Sequence, residues 1–232
     1  MSIHDEDIRL QVALPFVESR PEVISLPHPR SGTHEGRNWD DYGGETPEPV
    51  STLKFFLKYL KNPTTVGALF PSGQNLAALI TSEISPDMGP VLELGAGNGI
   101  FTSAILDRGV APHDIVAVEL EPSFASRLAR RFPGITVVNA AAEDALCADG
   151  AAHFGAAVSG LPLLNFPWSV RQRLLHLIFE KLRPGAALYQ FTYGLSAPIP
   201  KSMLRSVGLR EEFLGRVYRN VPPAGVYKIS RL

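Results

Sequence analysis

The sequence predicts an α/β domain with a mostly parallel sheet, and three observations carry that prediction. Short apolar runs alternate with helical periodicity from Gly89 onward: Val91–Leu94, Ile115–Glu119, Thr136–Asn139, Ala156–Ser159 and Ala186–Phe191 read as strands, with helices near Ile100–Arg108, Pro122–Arg131 and Ser169–Leu182. The first strand passes directly into Gly95-Ala96-Gly97-Asn98-Gly99, a glycine-rich turn that opens a helix. The second ends in a carboxylate, Glu119. Strands and helices that alternate in this way form a sheet covered on both faces, with its ligand crevice at the carboxyl ends of the strands.

Residues 1–50 are dense in Pro, Glu, Arg and Gly, with Pro27-His28-Pro29 and Pro47-Glu48-Pro49 as breakers. Val12–Val17 and Val23–Leu26 are short apolar anchors, so an irregular extension partly docked on the domain is expected. Residues 51–85 read as N-terminal helices. Ser51-Thr52 caps the first, in which Leu53, Phe56, Leu57 and Leu60 share one face and Lys54, Lys58 and Lys61 another, with Phe55 and Tyr59 at the flanks. By pattern alone this suits a core-packing helix with a solvated lysine face; aromatic bulk with a basic rim also suits an interfacial helix. Pro63 stops it, and Pro71-Ser72-Gly73 leads to a second helix over Asn75–Ser82. Residues 86–232 form the main body, which Leu209–Val217 and Gly225–Ile229 close as two further strands around Pro222-Pro223-Ala224.

The chain has 232 residues, 45% of them hydrophobic, which is material for one core rather than two. Its net charge of −1 conceals an asymmetry: the first fifty residues hold ten acidic side chains against four arginines, the remainder thirteen acidic against eighteen basic. The body is too weakly basic for a nucleic-acid face but suits contact with an anionic surface. Cys147 is the single cysteine, so no intrachain disulfide or cysteine-rich metal site forms, as in a reducing cytoplasm. Asp5, Glu6 and Asp7 stand where a secretory leader needs basic residues, and no apolar run approaches the roughly twenty residues of a membrane span. No metal is expected: His28 and His34 lack ligand spacing to a Cys or Asp partner.

The glycine spacing differs from the dinucleotide fingerprint G-x-G-x-x-G, which favours S-adenosylmethionine over NAD. Glycines let the backbone approach a ligand where a Cβ would obstruct it. With Glu93 just ahead of the turn, Val91-Leu92-Glu93-Leu94-Gly95-Ala96-Gly97-Asn98-Gly99 resembles the first motif of the class I methyltransferases. That resemblance implies a Rossmann-like, seven-stranded sheet with a closing antiparallel hairpin. It places Glu93, Gly95, Ala96, Gly97 and Gly99 at the methionine moiety, Glu119 at the ribose hydroxyls and Leu120 on the adenine. Where such enzymes often orient the adenine amino group with an Asp, this chain has Ala141, followed by Ala142 and Glu143, and Glu143 is the expected substitute. Ser72 and Ser159 complete the expected cofactor set.

Farther along, Leu60-Lys61-Asn62-Pro63 with Val66-Gly67-Ala68 and Pro71-Ser72, then Ser159-Gly160-Leu161-Pro162-Leu163-Leu164-Asn165, Tyr189-Gln190-Phe191-Thr192-Tyr193-Gly194 and Asn220-Val221-Pro222-Pro223-Ala224, occur in order. Together with the cofactor loop they resemble the bacterial phosphatidylethanolamine N-methyltransferases, from about Phe55 to the C-terminus. These are related to the ribosomal RNA adenine dimethyltransferases, whose substrate loop reads Asn-Leu-Pro-Tyr; here Gly160 and Leu163 stand at the amide and aromatic positions, so a flipped adenine loses its acceptor and its stacking partner.

The resemblance implies successive methyl transfers from S-adenosylmethionine to the lipid amine, giving S-adenosylhomocysteine, by a protein lying peripherally on the inner face of the cytoplasmic membrane; the sequence leaves its oligomeric state open, with a monomer favoured. The carbonyls around Gly160 and Leu161 and the phenol of Tyr193 are expected to hold the amine, with Tyr189 and Tyr218 as weaker aromatic candidates. Lys54, Phe56, Lys58, Tyr59 and Lys61 are expected at the membrane, and Arg219, with Arg210 and Arg216, at the phosphodiester. An RNA adenine dimethyltransferase and a non-catalytic, membrane-docking cofactor-binding protein are the alternatives.

Overall fold

The computed structural model describes residues 23–25, 70–148, 154–193, 197–218 and 223–232. Eight strands form one sheet: β1 (Val23–Ser25), β2 (Val91–Leu94), β3 (Ile115–Glu119), β4 (Thr136–Asn139), β5 (Phe154–Ser159), β6 (Leu182–Tyr193), β7 (Leu209–Val217) and β8 (Ala224–Arg231), in the order β1-β4-β3-β2-β5-β6-β8-β7. Every pair from β1 to β6 is parallel, and β8 runs antiparallel between β6 and β7. The seven expected strands and the closing hairpin are therefore present, in a Rossmann-like methyltransferase arrangement. The eighth gives the expected partial docking of the extension a definite form, a short strand: Val23, Ile24 and Ser25 pair with Val137, Val138 and Asn139 at the sheet edge.

The helices are α1 (Phe70–Ile80), α2 (Ile100–Asp107), α3 (Pro122–Arg131), α4 (Ala142–Cys147), α5 (Trp168–Lys181) and α6 (Lys201–Ser206). Side-chain alternation along each strand feeds two cores. Val91, Ala117, Val137, Val158 and Tyr189 face a cluster completed by Leu76 and Ile80 of α1, Phe101 and Ile105 of α2 and Leu128 of α3. Leu92, Leu94, Val118, Ala157 and Leu188 face the other, with Leu146 of α4, Leu175 and Ile178 of α5 and Met203 of α6. Full burial of each such aliphatic side chain contributes about 1.5–3 kcal/mol, so both faces anchor the sheet.

Three boundaries differ from the expected ones. α1 begins at Phe70, earlier than Asn75, and includes Gly73, where a Cβ would come 2.7 Å from Ile100 Cδ1 at the start of α2. β6 begins at Leu182, but its pairing with β5 slips between Phe154 and Ala156 as exposed Arg183-Pro184-Gly185 bulges out. α4 and α6 are six residues each, too short for a periodic signal to emerge from sequence. Among the described residues no helix is long and apolar enough to cross a membrane. Parallel pairing from β4 to β6 brings the ends of β2, β3, β4, β5 and β6 to one edge, where the glycine turn, Glu119, Asn139, Ser159 and Tyr193 gather.

Candidate active site

The glycine turn is folded onto the end of β3. The amides of Gly95 and Ala96 both donate to the carbonyl of Val118, at 2.9 and 3.2 Å, and the Gly97 amide donates to Glu119 Oε2 at 2.7 Å. Glu119 Oε1 accepts from the Glu121 amide at 2.8 Å. Burial raises the Glu119 carboxyl above its ordinary range, while the three backbone donors, from Glu121, Gly97 and Leu120, pull it back. A carboxylate offers about four lone-pair sites, so two bonded amides leave capacity for ribose hydroxyls. Asn139, opposite Glu119 in the ladder, fixes the following turn: its Nδ2 donates to the carbonyls of Glu119 and Leu120 at 2.8 and 3.0 Å. Sequence reasoning missed Asn139, although an amide at the carboxyl end of the strand beside Glu119 was the available signal.

The glycines serve different ends. At Gly97, φ is +55° and an added Cβ would meet nothing nearer than the Gly95 carbonyl at 4.0 Å, so this position stands open to a ligand. At Gly99 the reason differs from close ligand approach: a Cβ would lie 2.4 Å from Phe132 Cε2 and 2.8 Å from Leu128 Cδ2, so glycine lets α3 pack under the turn. Ala96 is buried in the core and offers the site its backbone.

Glu93 lies fully buried one strand-step before the turn, its Oε2 accepting from Thr102 Oγ1 of α2 at 2.6 Å. Burial pushes its carboxyl up to about 8, against the Thr102 hydrogen bonds, which lower it. Its Oε1 has no partner among the described residues. A buried carboxyl with an unused oxygen beside an open glycine backbone fits a ligand that brings its own donors, such as the ammonium of a methionine moiety.

The loop after β5 crosses the glycine turn at close quarters. The Gly160 amide donates to the Leu94 carbonyl at 2.8 Å, and a Cβ on Gly160 would lie 2.6 Å from the Gly95 carbonyl oxygen. Ser159, expected at the cofactor, is fully buried and accepts from the Leu161 amide at 3.2 Å, so it shapes the acceptor loop. The Leu161 carbonyl, expected to face an amine, accepts instead from Gln190 Nε2 at 2.9 Å. Leu163 is buried in the core and Leu164 is exposed. Tyr193 ends β6 half-buried, edge-on to Phe191 at 5.2 Å, and Phe191 is edge-on to Phe101 at 5.8 Å, so a chain of rings ties Tyr193 to the start of α2.

Other expected residues are placed apart. Glu143 is paired with Arg173 of α5, which gives it a partner other than an adenine amino group; Ala142 packs against the core at the start of α4. Tyr189 is buried, its hydroxyl donating to Glu83 at 3.0 Å while Lys228 pairs with the same carboxylate at 2.7 Å, a structural knot rather than an amine cage. Tyr218 is exposed, Arg210 donates to Ser230 Oγ, and Arg216 lies over Phe213. Ser72 sits in the first turn of α1, its side chain outside the described set, as are Lys54, Phe56, Lys58, Tyr59, Lys61 and Arg219.

A family model described as a methyltransferase domain matches residues 91–185. An ornithine lipid N-methyltransferase of Singulisphaera acidiphila is 30% identical over 185 residues, covering 75% of this chain and 94% of that protein. The chain belongs to the class I S-adenosylmethionine-dependent methyltransferases. A probable ribosomal RNA small subunit methyltransferase A of Methanosarcina acetivorans is 31% identical over a narrower stretch, 50% of this chain and 39% of that protein. In fold, the 1,6-didemethyltoxoflavin-N1-methyltransferase of Burkholderia thailandensis, solved with S-adenosylhomocysteine, superposes with a TM-score of 0.59 at 19% identity, covering 81% of this chain and 92% of that one. When bound, S-adenosylmethionine supplies an electrophilic methyl on a sulfonium. In this methyltransferase the open backbone at Gly97, the Glu93 carboxyl and the Glu119 carboxylate are the groups that would hold it.

Proposed function

We propose that this methyltransferase N-methylates phosphatidylethanolamine and its mono- and dimethyl derivatives towards phosphatidylcholine at the membrane surface. The observation that carries the reading is the match along 94% of a relative named for N-methylation of a lipid. The loop after β5 supports it. Gly160 has no room for the amide that an adenine-recognising loop carries there, since any Cβ meets the Gly95 carbonyl, and Leu163 is committed to the core rather than available for stacking. Tyr193 keeps an aromatic group at the same edge, and an aromatic face attracts an alkylammonium by about 0.5–2 kcal/mol. The ammonium, held by a hydrogen bond to the Tyr193 phenol oxygen, first loses a proton to water; the freed nitrogen lone pair then forms the N–CH3 bond as the S–CH3 bond breaks and S-adenosylhomocysteine leaves. Alignment of nitrogen, methyl and sulfur is the main task of the protein.

The body then lies peripherally, as a monomer, on the inner face of the cytoplasmic membrane, with the segment of Lys54, Phe56, Lys58, Tyr59 and Lys61 against anionic lipid and Arg219 at the phosphodiester. Labelled S-adenosylmethionine with vesicles of phosphatidylethanolamine, vesicles of ornithine lipid, or RNA tests the substrate. Label in the phosphatidylethanolamine band supports the reading; label in ornithine lipid alone replaces the headgroup, and label in RNA replaces the class. Each lysine near an anionic surface is worth about 1 kcal/mol, so replacing Lys54, Lys58 and Lys61 with Glu is expected to reduce vesicle flotation at low salt. Unchanged flotation removes that segment from the membrane.

A further inference from the structure

Gln190 is fully buried on β6, beside Ser159 of β5 in the ladder, and belongs to none of the expected site residues. Its Nε2 donates to two carbonyls, Leu161 at 2.9 Å and Phe191 at 2.8 Å. Both partners are acceptors, so the amide orientation is dictated: the opposite flip would set Oε1 against two carbonyl oxygens. The Leu161 peptide is thus gripped at both ends, its amide by Ser159 Oγ and its carbonyl by Gln190. One residue earlier, Gly160 rests on the Gly95 carbonyl of the cofactor turn.

We propose that Gln190 is a positioning residue for methyl transfer, holding the acceptor loop at Gly160–Leu161 in fixed register with the glycine turn through its bond to the Leu161 carbonyl. No other residue type provides the same grip. Leucine or methionine fills the space without a donor, asparagine is one methylene short, and a carboxylate opposes the carbonyls it should bind. Gln190 Oε1 has no partner among the described residues, so the side chain is retained for its donors at the cost of a buried, unused acceptor.

The inference rests on the loop after β5 facing the methyl acceptor, and the test separates its failure from that of the lipid reading. Gln190→Leu and Gln190→Glu are compared with wild type for S-adenosylhomocysteine affinity, for turnover on phosphatidylethanolamine vesicles, and for amide hydrogen exchange. Misplacement by about an ångström costs on the order of 100-fold in rate. Gln190→Leu is therefore expected to lower kcat about 10–100-fold, with cofactor affinity within about twofold and faster exchange in residues 160–165 but not in 91–99. Gln190→Glu can donate only while protonated, and a fully buried glutamic acid titrates at roughly pH 8–9. Its turnover relative to wild type is expected to fall as pH rises through that range.

Wild-type turnover in folded Gln190→Leu, or a loss of cofactor affinity equal to the loss of turnover, would overturn the proposal. Where Gln190→Leu does not fold, a flat pH ratio for Gln190→Glu overturns it equally. If wild type itself leaves the vesicles unlabelled, the lipid reading fails, and exchange still decides: equal protection of residues 160–165 in variant and wild type rejects Gln190.

Discussion

At the ends of β2 and β3 two backbone amides, those of Gly97 and Glu121, converge on one carboxylate, whereas at the ends of β5 and β6 one side-chain amide converges on two backbone carbonyls. The first arrangement sets a charge against the main chain and leaves lone pairs of that carboxylate unused, although Glu119 is only 2% exposed. The second spends a neutral donor on the main chain and is closed off inside the protein. On the proposed function, the difference teaches that the cofactor half would bind with the groups that shape it, while the acceptor half would be shaped by groups that a substrate need never touch. The two halves meet where Gly160 passes over the Gly95 carbonyl.

The largest expected effect breaks the open half alone. Hydrogen bonds to charged groups are worth about 1.5–3 kcal/mol each, so Glu119→Ala is expected to weaken S-adenosylhomocysteine binding by roughly 100-fold or more, measured by calorimetry. Gly97→Val puts a branched side chain at φ +55° in the space left for the ligand and should match it. Wild-type affinity in either folded variant would remove the turn from cofactor binding.

A smaller effect is expected at the crossing. Gly160→Ala forces its methyl to within 2.6 Å of a backbone oxygen, so the two loops must separate. Overpacking of this kind costs about 1–3 kcal/mol, and turnover should fall about tenfold, with a lesser loss of cofactor affinity. Equal losses in both would mean that the halves move as one body.

An effect of a different kind, read as stability rather than as binding or turnover, concerns Glu93. Its folded-state carboxyl is raised from 4.5 to about 8, so the native protein keeps a proton that the unfolded chain releases. That contribution is complete below about pH 4.5 and is lost as pH rises towards 8. Glu93→Gln is expected to flatten this decline in Tm between those limits. A variant whose Tm still falls as steeply as wild type would show that another group carries the slope.

Glu93, Gly97 and Glu119 were legible in sequence because each is a residue type whose chemistry is tied to a strand end or a tight turn. Gln190 and Asn139 were not, since an amide inside an apolar run carries no periodicity of its own and takes its meaning from the neighbouring strand. Gly99 carries a reason that sequence did not reveal: a Cβ there would meet Phe132, 33 residues farther along, a contact that only the packed fold creates. Glu143 looked available as a lone carboxylate after β4 until α5 brought Arg173 against it. The seven strands from β2 to β8 and the helices of eight or more residues followed from pattern, whereas β1, α4 and α6 did not.

The pairing of Val23–Ser25 with β4 gives the acidic extension a second identity, as the hem of the sheet. Ser25 stands opposite Asn139, whose amide secures the turn behind Glu119. Trimming the chain back to Ser51, the natural cut for anyone seeking a tidier crystallisation target, would strip that hem and bare the β4 ladder. A bared strand edge invites pairing with another chain. The shortened protein is expected to self-associate and to bind cofactor more weakly, through a strand that never touches the ligand. A truncated protein that begins ahead of Val23 keeps the β4 pairing that one beginning at Ser51 loses.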